Sequence, residues 1–86
     1  MTKEDKMLYK TIDTFLWKEW DPIGVNKFPE ARDEYQSYLP EVFRLKTSGA
    51  NEESIAQYLL KVEIERMGLS GNLENCKRVA HKVAIL

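Results

Sequence analysis

The apolar residues near the N-terminus recur at helical spacing. They follow one another by four, three, one and four residues: Leu8, Ile12, Phe15, Leu16 and Trp20. Such spacing puts them on one face of a helix with about 3.6 residues per turn. The pattern predicts a first helix from Thr2 to about Trp20, with Thr2 and Asp5 forming a capping box and the sequence Asp21-Pro22-Ile23-Gly24 ending it.

Residues 21–29 form the longest stretch without periodicity. They include the loop-forming residues Pro22, Gly24, Asn26 and Pro29. They also include three apolar residues that are costly to leave in water: Ile23, Val25 and Phe28. We therefore expect this loop to fold back on the domain and bury some of them.

A second helical pattern runs from about Glu30 to Ser48 and is interrupted by Pro40. Its apolar positions are Tyr35, Tyr38, Leu39, Val42, Phe43 and Leu45. Proline is costly inside a helix but tolerated in a first turn. The pattern thus predicts a short helix near 30–37 and another that begins near Ser37 or Tyr38 and ends at Gly49. One kinked helix is the competing interpretation.

The C-terminal half predicts two further helices. Asn51 is a strong N-cap for a helix ending before Gly68, and its apolar stripe comprises Ile55, Tyr58, Leu59, Val62 and Met67. The last helix is expected from about Gly71 to Ala84, capped by Asn72 or Ser70, with a stripe of Leu73, Cys76, Val79, Ala80 and Val83. The predicted fold is a single all-α domain spanning 1–86, a compact four- or five-helix bundle. Its predicted core is Leu8, Ile12, Phe15, Leu16, Tyr35, Leu39, Val42, Phe43, Ile55, Leu59, Val62, Leu73, Cys76, Val79 and Val83.

Composition narrows the class of protein. With 86 residues, 43% hydrophobic and 31% charged, the chain has ordinary globular usage and room for one domain. Its net charge of −1 gives no general attraction to nucleic acid or to anionic membranes. It has one cysteine, no signal-peptide pattern and no apolar run long enough to span a bilayer. We expect a cytoplasmic protein.

The middle of the chain carries a recognisable order of short segments. From Trp20 to Leu69 it reads WDPIGV, DEYQSYLPEVFRL, SGANEESIAQYL and ERMGL. These segments resemble a family of small uncharacterised helical proteins, a domain-of-unknown-function family found mainly in Gram-positive bacteria. The matching positions are Asp21, Pro22, Gly24, Asp33, Glu34, Tyr35, Tyr38, Pro40, Gly49, Glu63, Met67, Gly68 and Leu69. The resemblance implies a compact helical fold and a bacterial protein, and it implies no activity.

The most suggestive polar segment lies between the first two helical patterns. It combines aromatic rings that have polar tips with carboxylates: Trp20, Asp21, Asp33, Glu34, Tyr35 and Tyr38. Such residues suit a partner-binding surface. The more ordinary interpretation, which we weigh more heavily, has Asp33 and Glu34 charging a helix N-terminus while both tyrosines pack in the core.

Other residues are weaker indications of a functional site. Glu63 could be half-buried, and an ion pair with Lys61, Arg66 or a neighbouring helix is its simplest explanation. Cys76 and His81 diverge by about 140° on one helix, which disfavours a nucleophilic pair, and two such residues are too few for a zinc site. Exposure of Trp17, which lies beside the apolar stripe, would indicate an interface. We predict no catalytic residues, no cofactor and no metal site.

Three functional hypotheses follow. The leading one is a non-enzymatic protein-interaction or regulatory module whose acidic face suits a basic protein partner, for example an immunity-type protein. The alternative is weak nucleic-acid binding through Lys77, Arg78 and Lys82, although nucleic acid is not the partner we expect. An enzyme ranks last, because a bundle of this size rarely encloses a pocket of about 300 Å³ or more.

Overall fold

The computed structural model describes all 86 residues and contains helices and turns but no strands. The α-helices are α1 (Lys3–Phe15), α2 (Leu39–Thr47), α3 (Glu52–Lys61) and α4 (Leu73–Ala84). α1 and α3 each continue as a π-helical turn, Leu16–Trp20 and Val62–Arg66 respectively. Two 3₁₀ turns, Pro29–Ala31 and Gln36–Tyr38, lie between α1 and α2. The predicted all-α bundle is confirmed.

The helix N-termini follow the predicted caps. The backbone N–H of Asp5 donates to Thr2 Oγ1 at 3.0 Å, and the reciprocal bond from the Thr2 N–H to Asp5 completes the capping box. The side chain of Asn51 accepts from the Ser54 N–H at 2.9 Å. Asn72 caps α4 in the same way. Each cap satisfies a backbone donor that the first helical turn leaves without a partner.

The segment before Pro40 differs from the prediction. α2 begins where expected, with Tyr38 as its N-cap and Pro40 in its first turn, so the single kinked helix is wrong. The short helix predicted near 30–37 is also wrong, since two 3₁₀ turns replace it. Of the apolar residues in this stretch, Tyr35 is buried and Ala31 half-buried. That is too little apolar surface to stabilise an α-helix by packing.

The two π-helical turns are defined by their backbone bonds. The Asp21 N–H donates to the Leu16 carbonyl at 3.1 Å, and the Met67 N–H donates to the Val62 carbonyl at 3.1 Å. Each bond reaches back five residues, one more than in an α-helix. Both turns lie at the C-terminal end of a helix, and each contributes one residue to the buried polar cluster described below.

The core confirms most of the predicted residues. Leu73 was predicted wrongly, because it opens α4 and stays 39% exposed, while Leu8 and Phe15 are only partly buried. The buried side chains that the prediction left out are Trp17, Trp20, Ala56, Glu63 and Ala80. In the loop, Val25 packs against the core, whereas Ile23 and Phe28 are 39% and 46% exposed. The loop therefore folds back through one of its three apolar residues.

Candidate functional site

Glu63 lies in the core, with only 2% of its surface exposed. Its carboxylate accepts three hydrogen bonds, one from the turn after α1 and two from the start of α4. Trp20 Nε1 donates to Oε2 at 2.7 Å, the Cys76 thiol donates to the same oxygen at 3.0 Å, and the Asn72 N–H donates to Oε1 at 2.8 Å. We call Trp20, Glu63, Asn72 and Cys76 the Glu63 cluster. It joins the ends of α1 and α3 to the start of α4.

The predicted ion pair of Glu63 is wrong. Lys61 and Arg66 are exposed, and the carboxylate is held by neutral donors instead. The sequence did contain a signal for this burial. Glu63 follows Ile55 and Leu59 by steps of four, so it occupies the apolar face of its helix. A carboxylate in that position can be buried only with hydrogen-bond donors around it.

The thiol in this cluster is held in its protonated form. Burial raises the pKa of Cys76 to about 12, and its hydrogen bond to Glu63 adds to the rise. Nucleophilic chemistry requires a thiolate. The residue therefore acts as a small buried group that donates to Glu63.

A second polar network organises the loop after α1. Asp21 adopts a left-handed backbone conformation (φ 31°), and its Oδ1 accepts from the Val25 N–H at 2.8 Å and from the Tyr35 hydroxyl at 2.7 Å. The Tyr35 hydroxyl in turn accepts from the Ile23 N–H at 3.3 Å. Burial, followed by the bond to Asp21, raises the pKa of Tyr35. This hydroxyl serves the structure of the loop.

The six residues predicted as a partner surface divide into three pairs by their burial. Trp20 and Tyr35 are buried, at 1% and 2% exposure, so placing them on a surface was wrong. Their rings pack against each other at a centroid distance of 5.2 Å. The Tyr38 ring stands edge-on to Trp20 at 6.0 Å and is half-buried, as is Asp21. Only Asp33 and Glu34 are fully exposed.

Trp17 is covered as well. It is 8% exposed, and the Arg32 guanidinium lies 5.3 Å from the centre of its ring. Arg32 is held there by two hydrogen bonds to the Asp13 carboxylate, at 3.1 and 2.9 Å. The interface that exposure of Trp17 would have indicated is therefore not found at this residue.

A groove of about 500 Å³ opens between the start of α2 and the outer face of α3. Its lining residues come from the second 3₁₀ turn, α2, α3 and the following π-helical turn: Ser37, Tyr38, Glu41, Tyr58, Lys61, Val62, Glu65 and Arg66. We call it the Tyr38–Tyr58 groove. The sequence analysis placed Tyr38 in a partner surface but did not identify the groove, which forms only when α2 packs beside α3.

Most polar side chains of this groove are free of partners within the chain. Only Glu41 is bound, because Arg44 donates to it twice at 2.7 Å. No intramolecular hydrogen bond or ion pair forms at the side-chain polar groups of the others: Ser37, Tyr38, Tyr58, Lys61, Glu65 and Arg66. The groove thus combines a concave shape with polar side chains that no other part of the chain occupies.

The size of this groove exceeds what we expected for so small a bundle, and two of its lining residues are carboxylates. The bond from Arg44 holds the pKa of Glu41 below its ordinary value. A general acid requires the opposite shift. The Glu41 carboxylate is therefore suited to an ion pair rather than to proton donation.

The basic face of α4 is partly neutralised by Glu19 in the π-helical turn that follows α1. Arg78 and Lys82 both donate to Glu19 Oε1 at 2.7 Å, and these bonds hold the pKa of Glu19 below its ordinary value. Asn75 donates to the Trp20 carbonyl at 3.1 Å. Of the three cations predicted to bind nucleic acid, only Lys77 has no carboxylate partner.

Neither the geometry of the chain nor the comparisons with known proteins identify a family for it. No group of three or more His, Cys, Asp and Glu side chains is arranged to hold a metal ion, and none of the helices combines the length and apolar character needed to cross a bilayer. In comparisons with known proteins, no family model, no curated protein and no solved structure matched the chain. The resemblance to the Gram-positive family stays a prediction.

Proposed function

We propose that this chain is a non-enzymatic protein-interaction module that binds a segment of a partner protein in the Tyr38–Tyr58 groove. The observation that carries the proposal is the contrast between two sets of polar groups. Those of the core, such as Glu63 and Tyr35, are satisfied within the chain. Those around the groove, such as Tyr58 and Arg66, face an open concave surface without internal partners.

The dimensions of the groove support a short segment as the ligand. A volume of about 500 Å³ lies within the range of about 300–1,000 Å³ that is usual for ligand pockets, enough for one or two side chains of a partner segment. Tyrosine and arginine are enriched where proteins meet. Asp33 and Glu34 are exposed a few residues before Ser37 in the chain, outside the groove lining, and would favour basic groups elsewhere on the partner.

A substitution that fills the groove tests the proposal. Ser37→Trp places a large ring at an exposed lining position, and Ser70→Trp places the same ring at an exposed serine outside the groove. Affinity purification from the source cells, with nuclease present, is then compared for the two variants and the unaltered chain.

We expect one protein to be retained stoichiometrically by the unaltered chain and by Ser70→Trp, and to be lost with Ser37→Trp. Retention by both variants would place the binding surface elsewhere. Capture that disappears with nuclease would favour the nucleic-acid alternative instead.

A further inference from the structure

We infer that the Tyr38–Tyr58 groove recognises an acidic side chain of the partner segment. The inference rests on the proposed function and adds the chemistry of the group that enters the groove. It comes from the balance of donors and acceptors that the lining residues leave free.

The free donors outnumber the free acceptors. Ser37, Tyr38 and Tyr58 contribute hydroxyl groups, while Lys61 and Arg66 contribute cationic donors. Of the two carboxylates, Glu41 is engaged at both oxygens by Arg44. Glu65 is the only unpaired carboxylate against the two cations, so the unpaired formal charges of the groove sum to +1.

The hydroxyl of Tyr58, one of the lining residues, remains a donor. Burial, followed by the negative charge of Glu41, raises the pKa of Tyr58, while Arg66 acts in the opposite direction. Tyr58 is therefore protonated at neutral pH. A carboxylate bound there would accept from the Tyr58 hydroxyl and from the guanidinium of Arg66.

Arginine is well suited to binding a carboxylate. Its planar guanidinium can form two parallel hydrogen bonds with a carboxylate, and such charge-assisted bonds are stronger than neutral ones. Lys61 also lines the groove and adds a second, mobile positive charge. A lysine or arginine of a partner would instead meet these two cations and be repelled.

The test uses a hexaglutamate peptide as the probe and the ¹⁵N-labelled full chain. The NMR chemical shifts of the backbone amides are followed as the peptide is added. A hexalysine peptide serves as the probe of opposite charge. The variant is Lys61→Glu/Arg66→Glu. Its matched control is Lys18→Glu/Lys77→Glu, which changes the net charge equally at two exposed lysines without internal partners.

We expect hexaglutamate to shift the amides of residues 37–41 and 58–66 in the unaltered chain and in the control. The groove variant should bind about tenfold more weakly or not at all, because charge-assisted bonds are lost. Any of four results would overturn the inference: chemical-shift changes on α4 alone, equal binding of hexaglutamate by both variants, stronger binding of hexalysine than of hexaglutamate at the groove, or no binding of hexaglutamate. If Ser37→Trp still abolished partner capture, the interaction proposal would stand and only the acidic group would be wrong.

Discussion

The indole Nε1 of Trp20 and the carboxylate Oε2 of Glu63 lie 2.7 Å apart, although 43 residues separate them in the chain. Each residue belongs to a π-helical turn that extends an α-helix. Both side chains are almost completely buried. The bond therefore connects the C-terminal ends of two helices inside the core, where losing one partner leaves the other without water to replace it.

Trp20→Phe should lower the free energy of unfolding more than Trp17→Phe does. Both changes remove similar ring area from buried positions, but only Trp20 uses its indole N–H in a hydrogen bond. We expect the difference to be about 1–3 kcal/mol, the usual cost of removing a buried bond to a charged group. Urea denaturation monitored by circular dichroism measures it, and equal losses would show that the bond contributes little.

Cys76 should resist alkylation by iodoacetamide at neutral pH until the protein unfolds. The residue is fully buried, so the reagent cannot reach it in the native state. Its pKa is raised to about 12, so the thiol is not ionised to the reactive thiolate at neutral pH. The labelling rate should rise with urea in parallel with the unfolded fraction. Fast labelling without denaturant would contradict the buried position.

The Glu19 ion pairs should make stability depend on acidity. Hydrogen bonds from Lys82 and Arg78 hold the pKa of Glu19 below its ordinary value of 4.5. The contribution of Glu19 to the free energy of unfolding is therefore fully present above pH 4.5, and it is lost as the pH falls through the lower pKa of the folded state. Glu19→Gln should be less stable at neutral pH, and its deficit should shrink in acid. Glu74→Gln, at an exposed carboxylate without partners, is the control. A deficit that does not change with pH would mean that the ion pairs contribute nothing.

Charge reversal at Asp33 and Glu34 should separate binding from folding. Both side chains are exposed and make no internal hydrogen bond, so Asp33→Lys/Glu34→Lys should leave the melting temperature nearly unchanged. Binding of the captured partner should weaken if its basic groups lie beside the groove. Glu30→Lys/Glu74→Lys is the matched control. A fall in melting temperature that accompanies the loss of binding would assign the two residues to the fold.

Gly71→Ala should be more destabilising than Gly68→Ala. Both glycines have positive φ, +90° and +69°, so each alanine would introduce about 1–2 kcal/mol of backbone strain into the folded state. At Gly71 the new Cβ would also lie 2.8 Å from Leu60 Cδ1, whereas Gly68 has nothing within 4 Å. Thermal denaturation of the two variants gives the difference. Equal effects would show that the Leu60 side chain moves away at no cost.

The elements that local signals determine were predictable. The capping box at Thr2, the caps at Asn51 and Asn72, and the position of Pro40 in a first turn each depend on residues within a few positions of one another. The all-α class followed from periodicity. These features need no knowledge of how the helices pack.

The site was less predictable, because it depends on contacts between distant segments. Whether Glu63 pairs with Lys61 or enters the core depends on donors that Trp20 and Asn72 bring from other elements. The same holds for Tyr35, whose hydroxyl is buried against Asp21. The Tyr38–Tyr58 groove arises from the placement of α2 beside α3, which periodicity does not specify.

The Glu63 cluster also limits how α3 can slide along its neighbours. A shift of one residue would rotate Glu63 by about 100° and bring Ile64 or Val62 to the three donors. Neither aliphatic side chain can accept a hydrogen bond, so the indole, the thiol and the Asn72 amide would be left unpaired in the core. Apolar stripes alone tolerate such slippage. One carboxylate with three donors makes a single alignment of the helices much more stable than its nearest alternatives.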